Sequence, residues 1–190
     1  MLVKICGLRR KIDIEYANEL KPDFIGFVFC LNKTRTITPK FAAELKKELS
    51  PNIKAVGVFR NNTIDVVKEA VTLKAIDMIQ LHGGEDDDFI KEIRSFTDMP
   101  IIRAYKDSEY ADYLLFDNDD PGKGQMFDWK RIKRNKPFFL AGGITLDNLS
   151  EAIKLKPYCI DVSSSVETDG FKDYNKMKEF IRRCRDEWKD

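Results

Sequence analysis

Eight short apolar runs, each separated from the next by room for a helix, constrain this chain more than any other feature. They lie near 2–6, 24–29, 54–59, 76–82, 100–105, 113–117, 137–141 and 159–163. The intervals suit helices of about 8–15 residues. Helix starts are marked in places. Thr38-Pro39 offers an N-cap and a first-turn proline. Thr63 precedes an apolar-periodic stretch at Ile64–Leu73, and Thr145 precedes another at Leu146–Leu155. Asp173 opens a last helix carrying Met177, Ile181, Cys184 and Trp188 on one side. After the fifth strand, Asp107 to Ala111 leaves space for about one turn, a degenerate helix. Eight strand–helix units, nearly all parallel, predict an α/β fold: one compact (β/α)8 barrel over residues 1–190. An open doubly wound sheet would want its glycine-rich turn after the first strand. Here that turn holds Gly7 alone, and the glycine pair comes late, at Gly142-Gly143.

Composition narrows the function classes. Apolar residues make up 43% and charged residues 34%, the balance of a soluble, folded chain rather than a disordered one. A net charge of +1 gives no general attraction to nucleic acid or to an anionic membrane. No apolar run approaches the ~20 residues of a membrane helix, and the start lacks a signal peptide's apolar block. Cysteines stand at 6, 30, 159 and 184 without a CxxC pair, which predicts reduced thiols in the cytoplasm and no zinc site. The single histidine, His82, argues against a multi-histidine metal centre or a Ser-His-Asp mechanism.

A barrel of this kind places its chemistry at the C-terminal ends of its strands. Those ends carry Cys6, Gln80, His82, Arg103, Asp117, Gly142-Gly143 and Ser163-Ser164-Ser165. Strand alternation puts Lys4 and Cys6 on one face. A nearby ammonium lowers a thiol's pKa, so that pairing suits a base or nucleophile. Tyr113, Leu115 and Asp117 share a face, which points Asp117 into the mouth if Leu115 is interior. Closure sets strand eight beside strand one, so Asp161 is expected to pair with Lys4, because a buried ammonium needs a partner. Arg103, on the side of Ile101 and Tyr105, is left open between ligand contact and an ion pair. Gly142-Gly143 after a strand and before a helix lets backbone N–H groups approach an anion. With the serine run one unit later, this predicts a phosphate held between loops seven and eight.

Taken together, these stretches resemble phosphoribosylanthranilate isomerase. The matching segments are Lys4-Ile5-Cys6-Gly7, Gly26-Phe27-Val28-Phe29, Gly57-Val58-Phe59, Gln80-Leu81-His82-Gly83 and Leu115-Phe116-Asp117. They continue with Gly122-Lys123-Gly124, Phe127-Asp128-Trp129, Leu140-Ala141-Gly142-Gly143-Ile144, Asp161 to Glu167 and Gly170 to Asp173. Their order matches the family across nearly the whole chain.

The resemblance implies an Amadori rearrangement in tryptophan biosynthesis. N-(5-phosphoribosyl)anthranilate becomes 1-(2-carboxyphenylamino)-1-deoxyribulose 5-phosphate. Carried over residue by residue, Cys6 is the general base and Asp117 the general acid. Arg35 is similar to the family's clamp on the anthranilate carboxylate, a task that suits a guanidinium fork. Gly142, Gly143, Ser164 and Ser165 fall where the family binds phosphate. Gln80 and His82, at the end of strand four, are candidate substrate-binding residues, with His82 open between a second base and a hydrogen-bonded residue that shapes the mouth. The resemblance requires no metal or organic cofactor. Its partner is a small phosphosugar, and monomer and homodimer both stay open. The sequence departs from the family at Lys33-Thr34, where a Ser-Pro pair is usual, and at Ser165, where a glycine is. It departs again at Pro121 and Gln125, which replace a usual glycine and lysine. Two other readings are an aminoaldose isomerase of histidine biosynthesis, which would carry aspartate at position 6, and a non-catalytic phosphosugar-binding barrel, which would lose one of the acid–base pair.

Overall fold

A computed structural model describes residues 1–31, 33–117 and 136–187. Eight parallel strands close on themselves in chain order: β1 Leu2–Cys6, β2 Phe24–Val28, β3 Lys54–Phe59, β4 Met78–Leu81, β5 Ile101–Ala104, β6 Tyr113–Phe116, β7 Phe138–Leu140 and β8 Cys159–Val162. Helices α1 Lys11–Leu20, α2 Pro39–Lys47, α3 Ile64–Thr72, α4 Asp87–Arg94, α5 Leu149–Lys154 and α6 Tyr174–Glu187 pack outside. The expected closed barrel is therefore present.

The strands read as near-continuous apolar runs because parallel strands are covered on both faces. One face of each meets the helices through residues such as Val3, Ile5, Ile25, Phe27, Ile79 and Ile160. The other fills the barrel with Phe24, Val56, Met78, Ile102, Leu115, Phe139 and Cys159. Leu115 is interior, as the reading of β6 required. Arg103 is not: Ile102 and Ala104 take the interior, and Arg103 pairs with Glu85 at 3.3 Å, away from the barrel lumen.

Local signals explain the helix ends. The Thr38 hydroxyl accepts from Phe41 N–H at 3.2 Å ahead of Pro39. The Asp173 carboxylate accepts from Lys176 N–H at 3.1 Å, and α6 buries Met177, Ile181 and Cys184. Trp188 lies outside the described residues, as do Pro121 and Gln125.

One expectation needs correction. The stretch at Leu146–Leu155 begins its helix only at Leu149. The Asn148 side chain turns back instead, accepting from Thr145 N–H at 2.9 Å and donating to Gly143 C=O at 3.0 Å. That local bonding competes with the helix. After β5 the connection is degenerate, as expected: residues 105–112 cross to β6 in bends and a single turn, with Ala111 N–H donating to Ser108 C=O at 3.2 Å. Beyond β8 the chain makes a short 3-10 turn, Ser164–Val166. A small antiparallel hairpin follows, formed by β9 Glu167–Thr168 and β10 Phe171–Lys172. No helix among the described residues is long and apolar enough to cross a membrane.

Candidate active site

Barrel closure brings Lys4 and Asp161 into register as neighbours on β1 and β8. Lys4 Nζ donates to Asp161 Oδ2 at 2.6 Å, and both are buried, as expected. Burial works most strongly against the ammonium, but the carboxylate together with the nearby Cys6 exceeds it and drives the Lys4 pKa upward. Lys4 also donates to Gln80 Oε1 at 2.9 Å. Gln80 Nε2 lies 2.8 Å from His82 Nδ1, and His82 Nε2 lies 3.2 Å from Asp117 Oδ2. One line of polar side chains thus crosses the barrel from β8 and β1 through β4 to the end of β6. The sequence alone offers no sign that Gln80 and His82 act together. The structure joins them to Lys4 and Asp117.

Cys6 sits at the mouth above Lys4, in a space kept by glycines. A Cβ on Gly26 would stand 2.7 Å from Cys6 Sγ and 3.1 Å from its Cα, contacts that side chains do not tolerate. Gly7 turns the chain with φ +86, and a Cβ there would meet Arg35 Cδ at 2.4 Å. The expectation of a thiol lowered by its lysine is corrected. Burial is the largest influence and pushes the Cys6 thiol up, and the pull of Lys4 and Lys172 only partly offsets it. Lys4 is already committed to Asp161.

Arg35 reaches the same rim. Its Nε and Nη2 hold Glu167 Oε1 and Oε2 at 2.8 and 2.6 Å, a two-pronged pairing. Lys172 Nζ shares that carboxylate at 2.6 Å and also donates to Ser163 C=O at 3.0 Å. Ser163 Oγ donates to Cys6 C=O at 2.9 Å. Burial works against the Glu167 charge, but Arg35 and Lys172 together hold its pKa below the usual range. The roles of Glu167 and Lys172 were not drawn from the sequence. Strong side-chain pairing between loops two and eight leaves no local pattern to read.

Gly142 and Gly143 have φ of +86 and +69, the left-handed conformation that favours glycine. Ser164 is exposed in the 3-10 turn after β8. Ser165 Oγ is buried and makes no hydrogen bond among the described residues. Among those residues, no group of histidine, cysteine and acidic side chains is placed to hold a metal ion.

A closed parallel barrel with its titratable side chains gathered at the C-terminal mouth belongs to the (β/α)8-barrel enzymes. Within that class, the family model described as N-(5'-phosphoribosyl)anthranilate (PRA) isomerase matches residues 3–183. A protein of Caldanaerobacter subterraneus subsp. tengcongensis named N-(5'-phosphoribosyl)anthranilate isomerase is 46% identical over 198 residues, covering 96% of this chain and 97% of its own. The chain belongs to this family of aldose–ketose isomerases. The crystal structure of phosphoribosyl anthranilate isomerase from Thermotoga maritima overlays with a TM-score of 0.84 at 29% identity, covering 98% of this chain and 99% of that one. Another structure is described as the isomerase in complex with reduced 1-(o-carboxyphenylamino)-1-deoxyribulose 5-phosphate. It overlays with a TM-score of 0.81 at 28% identity, covering 98% and 100%.

Proposed function

We propose that this chain converts N-(5-phosphoribosyl)anthranilate to 1-(2-carboxyphenylamino)-1-deoxyribulose 5-phosphate in the cytoplasm, within one barrel domain spanning the chain, with Cys6 as base and Asp117 as acid. The observation that carries the assignment is the hydrogen-bonded line from Lys4 through Gln80 and His82 to Asp117. It supports the reading by tying the Asp117 carboxyl, at the end of β6, to Lys4, whose field reaches the Cys6 thiol at the end of β1.

The reaction needs one positioned acid and one positioned base. Asp117 gives a proton to the furanose ring oxygen. The C1–O bond breaks as the anilino nitrogen forms C=N, giving an open-chain Schiff base. Cys6, as thiolate, removes the C2 proton, and that electron pair becomes C1=C2 while the C=N electrons return to nitrogen. The resulting enolamine takes a proton at C1 while its C2 hydroxyl gives one up, which leaves the ketone. Each positioned acid or base contributes about 10²–10⁴ in rate. Arg35, whose fork holds Glu167 in this structure, exchanges it for the anthranilate carboxylate, and the Gly142-Gly143 and Ser164-Ser165 turns receive the phosphate. Ser165 Oγ, buried without a hydrogen-bond partner among the described residues, supports that end of the reading. Four free cysteines fit a reducing compartment.

The test is purified protein with phosphoribosylanthranilate, followed by the loss of anthranilate-type fluorescence. Wild type turns over, and Cys6→Ser and Asp117→Asn each fall by about 10²–10⁴ in kcat. Near wild-type turnover by either variant overturns the role given to that residue.

A further inference from the structure

Tyr105 stands just beyond β5, where the fold has dispensed with a helix. Its φ is +66, and Lys106 N–H donates to Ala104 C=O at 2.8 Å across it. A three-residue turn with that φ at its centre is the rare and strained kind. Strain of this sort persists where the surroundings over-determine it, and it concentrates at working sites. The Tyr105 hydroxyl lies 3.0 Å from His82 Nε2, and the two rings meet edge to face at 5.2 Å.

The hydrogen on the His82 ring is placed by its neighbours. The Lys4 ammonium has donors only, so it takes the oxygen of Gln80 at 2.9 Å. Gln80 must then present its NH2 to His82 Nδ1 at 2.8 Å. Nδ1 accepts, and the ring hydrogen resides on Nε2. From there it faces two acceptors, Tyr105 O at 3.0 Å and Asp117 Oδ2 at 3.2 Å.

We propose that Tyr105 is a positioning residue for the acid: its hydroxyl shares the one Nε2 hydrogen of His82 with Asp117 and keeps it from being committed to the carboxylate. This rests on the reading of Asp117 as the acid. An N–H given wholly to a carboxylate is a charge-assisted bond that favours the ionised form. An acid that must release a proton to the sugar is served better by the shared arrangement. Among the described residues, the groups around this hydrogen include Lys4 on β1, Gln80 on β4, Tyr105 after β5, Asp117 after β6, and Asp161 on β8, whose field reaches both His82 and Asp117.

Because His82 is the only histidine, long-range proton–nitrogen spectra of the labelled full chain report this ring alone. Wild type is expected to show a bare Nδ1 and a protonated Nε2. Gln80→Glu replaces the donor to Nδ1 with an acceptor and moves a hydrogen onto Nδ1. Tyr105→Phe keeps the wild-type tautomer and shifts the Nε2 hydrogen downfield. It also lowers kcat about three- to tenfold with KM unchanged, the scale of one redirected hydrogen bond. A hydrogen on Nδ1 in wild type overturns the proposal. So does a Tyr105→Phe variant whose Nε2 resonance and kcat both match wild type. If wild type fails to turn over phosphoribosylanthranilate, the isomerase reading falls, while the spectra still decide whether the hydrogen is shared.

Discussion

Lys4 and Lys172 are both buried, both face a carboxylate at 2.6 Å, and both lie in the field of the Cys6 thiol, yet their environments act in opposite directions. For Lys4, burial is the largest influence, but the attraction of Asp161, with that of Cys6 beside it, exceeds the burial and drives the pKa up. Lys172 is driven down because burial outweighs Glu167. The carboxylate of Asp161 serves Lys4 alone among the described cations, whereas Glu167 is divided between Lys172 and the fork of Arg35, which itself repels Lys172. A dedicated counter-ion fixes a charge and a shared one leaves it adjustable. The mouth therefore has a fixed half, wired through Gln80 and His82 to Asp117, and a responsive half built on loops two and eight.

The strongest way to break that contrast is to remove the counter-ion from the fixed half. Asp161→Leu strands the Lys4 ammonium in the barrel and is expected to cost about 3–5 kcal/mol in urea unfolding. Lys4→Met combined with Asp161→Leu recovers most of that loss, since apolar replacement of a buried pair is often neutral, but it releases Gln80 and depresses turnover. Lys172→Met is expected to cost only about 1 kcal/mol, because Glu167 keeps Arg35. If Lys172→Met proves as damaging as Asp161→Leu, the two halves are not different in kind.

The fixed half was legible in the sequence because strand period and barrel closure dictate it. Lys4, Cys6 and Asp161 fall on interior faces by alternation alone, and Lys4 meets Asp161 because β8 must border β1. The responsive half was not, since the Arg35–Glu167–Lys172 cluster joins residues 132 and 5 apart through loops that follow no period. The hairpin carrying Lys172 did leave a signal, the Asp169-Gly170 pair between two short strands. Tyr105 left none: nothing in an Ala-Tyr-Lys sequence announces a left-handed turn. The Cys6 thiol was misjudged because the alternation shows which charges are near and not how much water has been removed.

The Glu167 carboxylate offers a pH-dependent probe of the responsive half. Its folded pKa is depressed from the ordinary 4.5, so the stability it contributes is present above that value and is lost as pH falls through the lowered one. Glu167→Gln should cost about 2 kcal/mol at neutral pH, leaving Arg35 and Lys172 without their anion. The gap between variant and wild type in urea midpoint then narrows below pH 4.5. A gap that stays constant into acid would mean that the pairing contributes nothing through charge.

Thiol alkylation compares the two lysines at the residue they share. Burial holds the Cys6 thiol above its ordinary 9.0, so reaction with iodoacetamide should be slow at neutral pH and still accelerating past 9.0. Cys30, Cys159 and Cys184 are buried and react later. Lys172→Met pushes the thiol higher and slows Cys6 about twofold to fivefold at fixed pH, a modest shift from one removed cation. Unchanged alkylation in that variant would leave Lys4 as the sole cation acting on the thiol.

The smallest effect separates the halves by their backbone. In the hairpin, Asp169 and Gly170 have φ of +51 and +77, the left-handed pair that a tight two-residue turn demands, and both residue types accept it. Tyr105 adopts φ +66 without that excuse, on the fixed half and in contact with His82. Tyr105→Gly is therefore expected to stabilise the fold by about 0.5–1 kcal/mol in urea unfolding while lowering kcat as Tyr105→Phe does. Asp169→Gly should change neither by a measurable amount. A Tyr105→Gly protein that is both less stable and fully active would mean that the turn costs nothing and that the hydroxyl has no part in the chemistry.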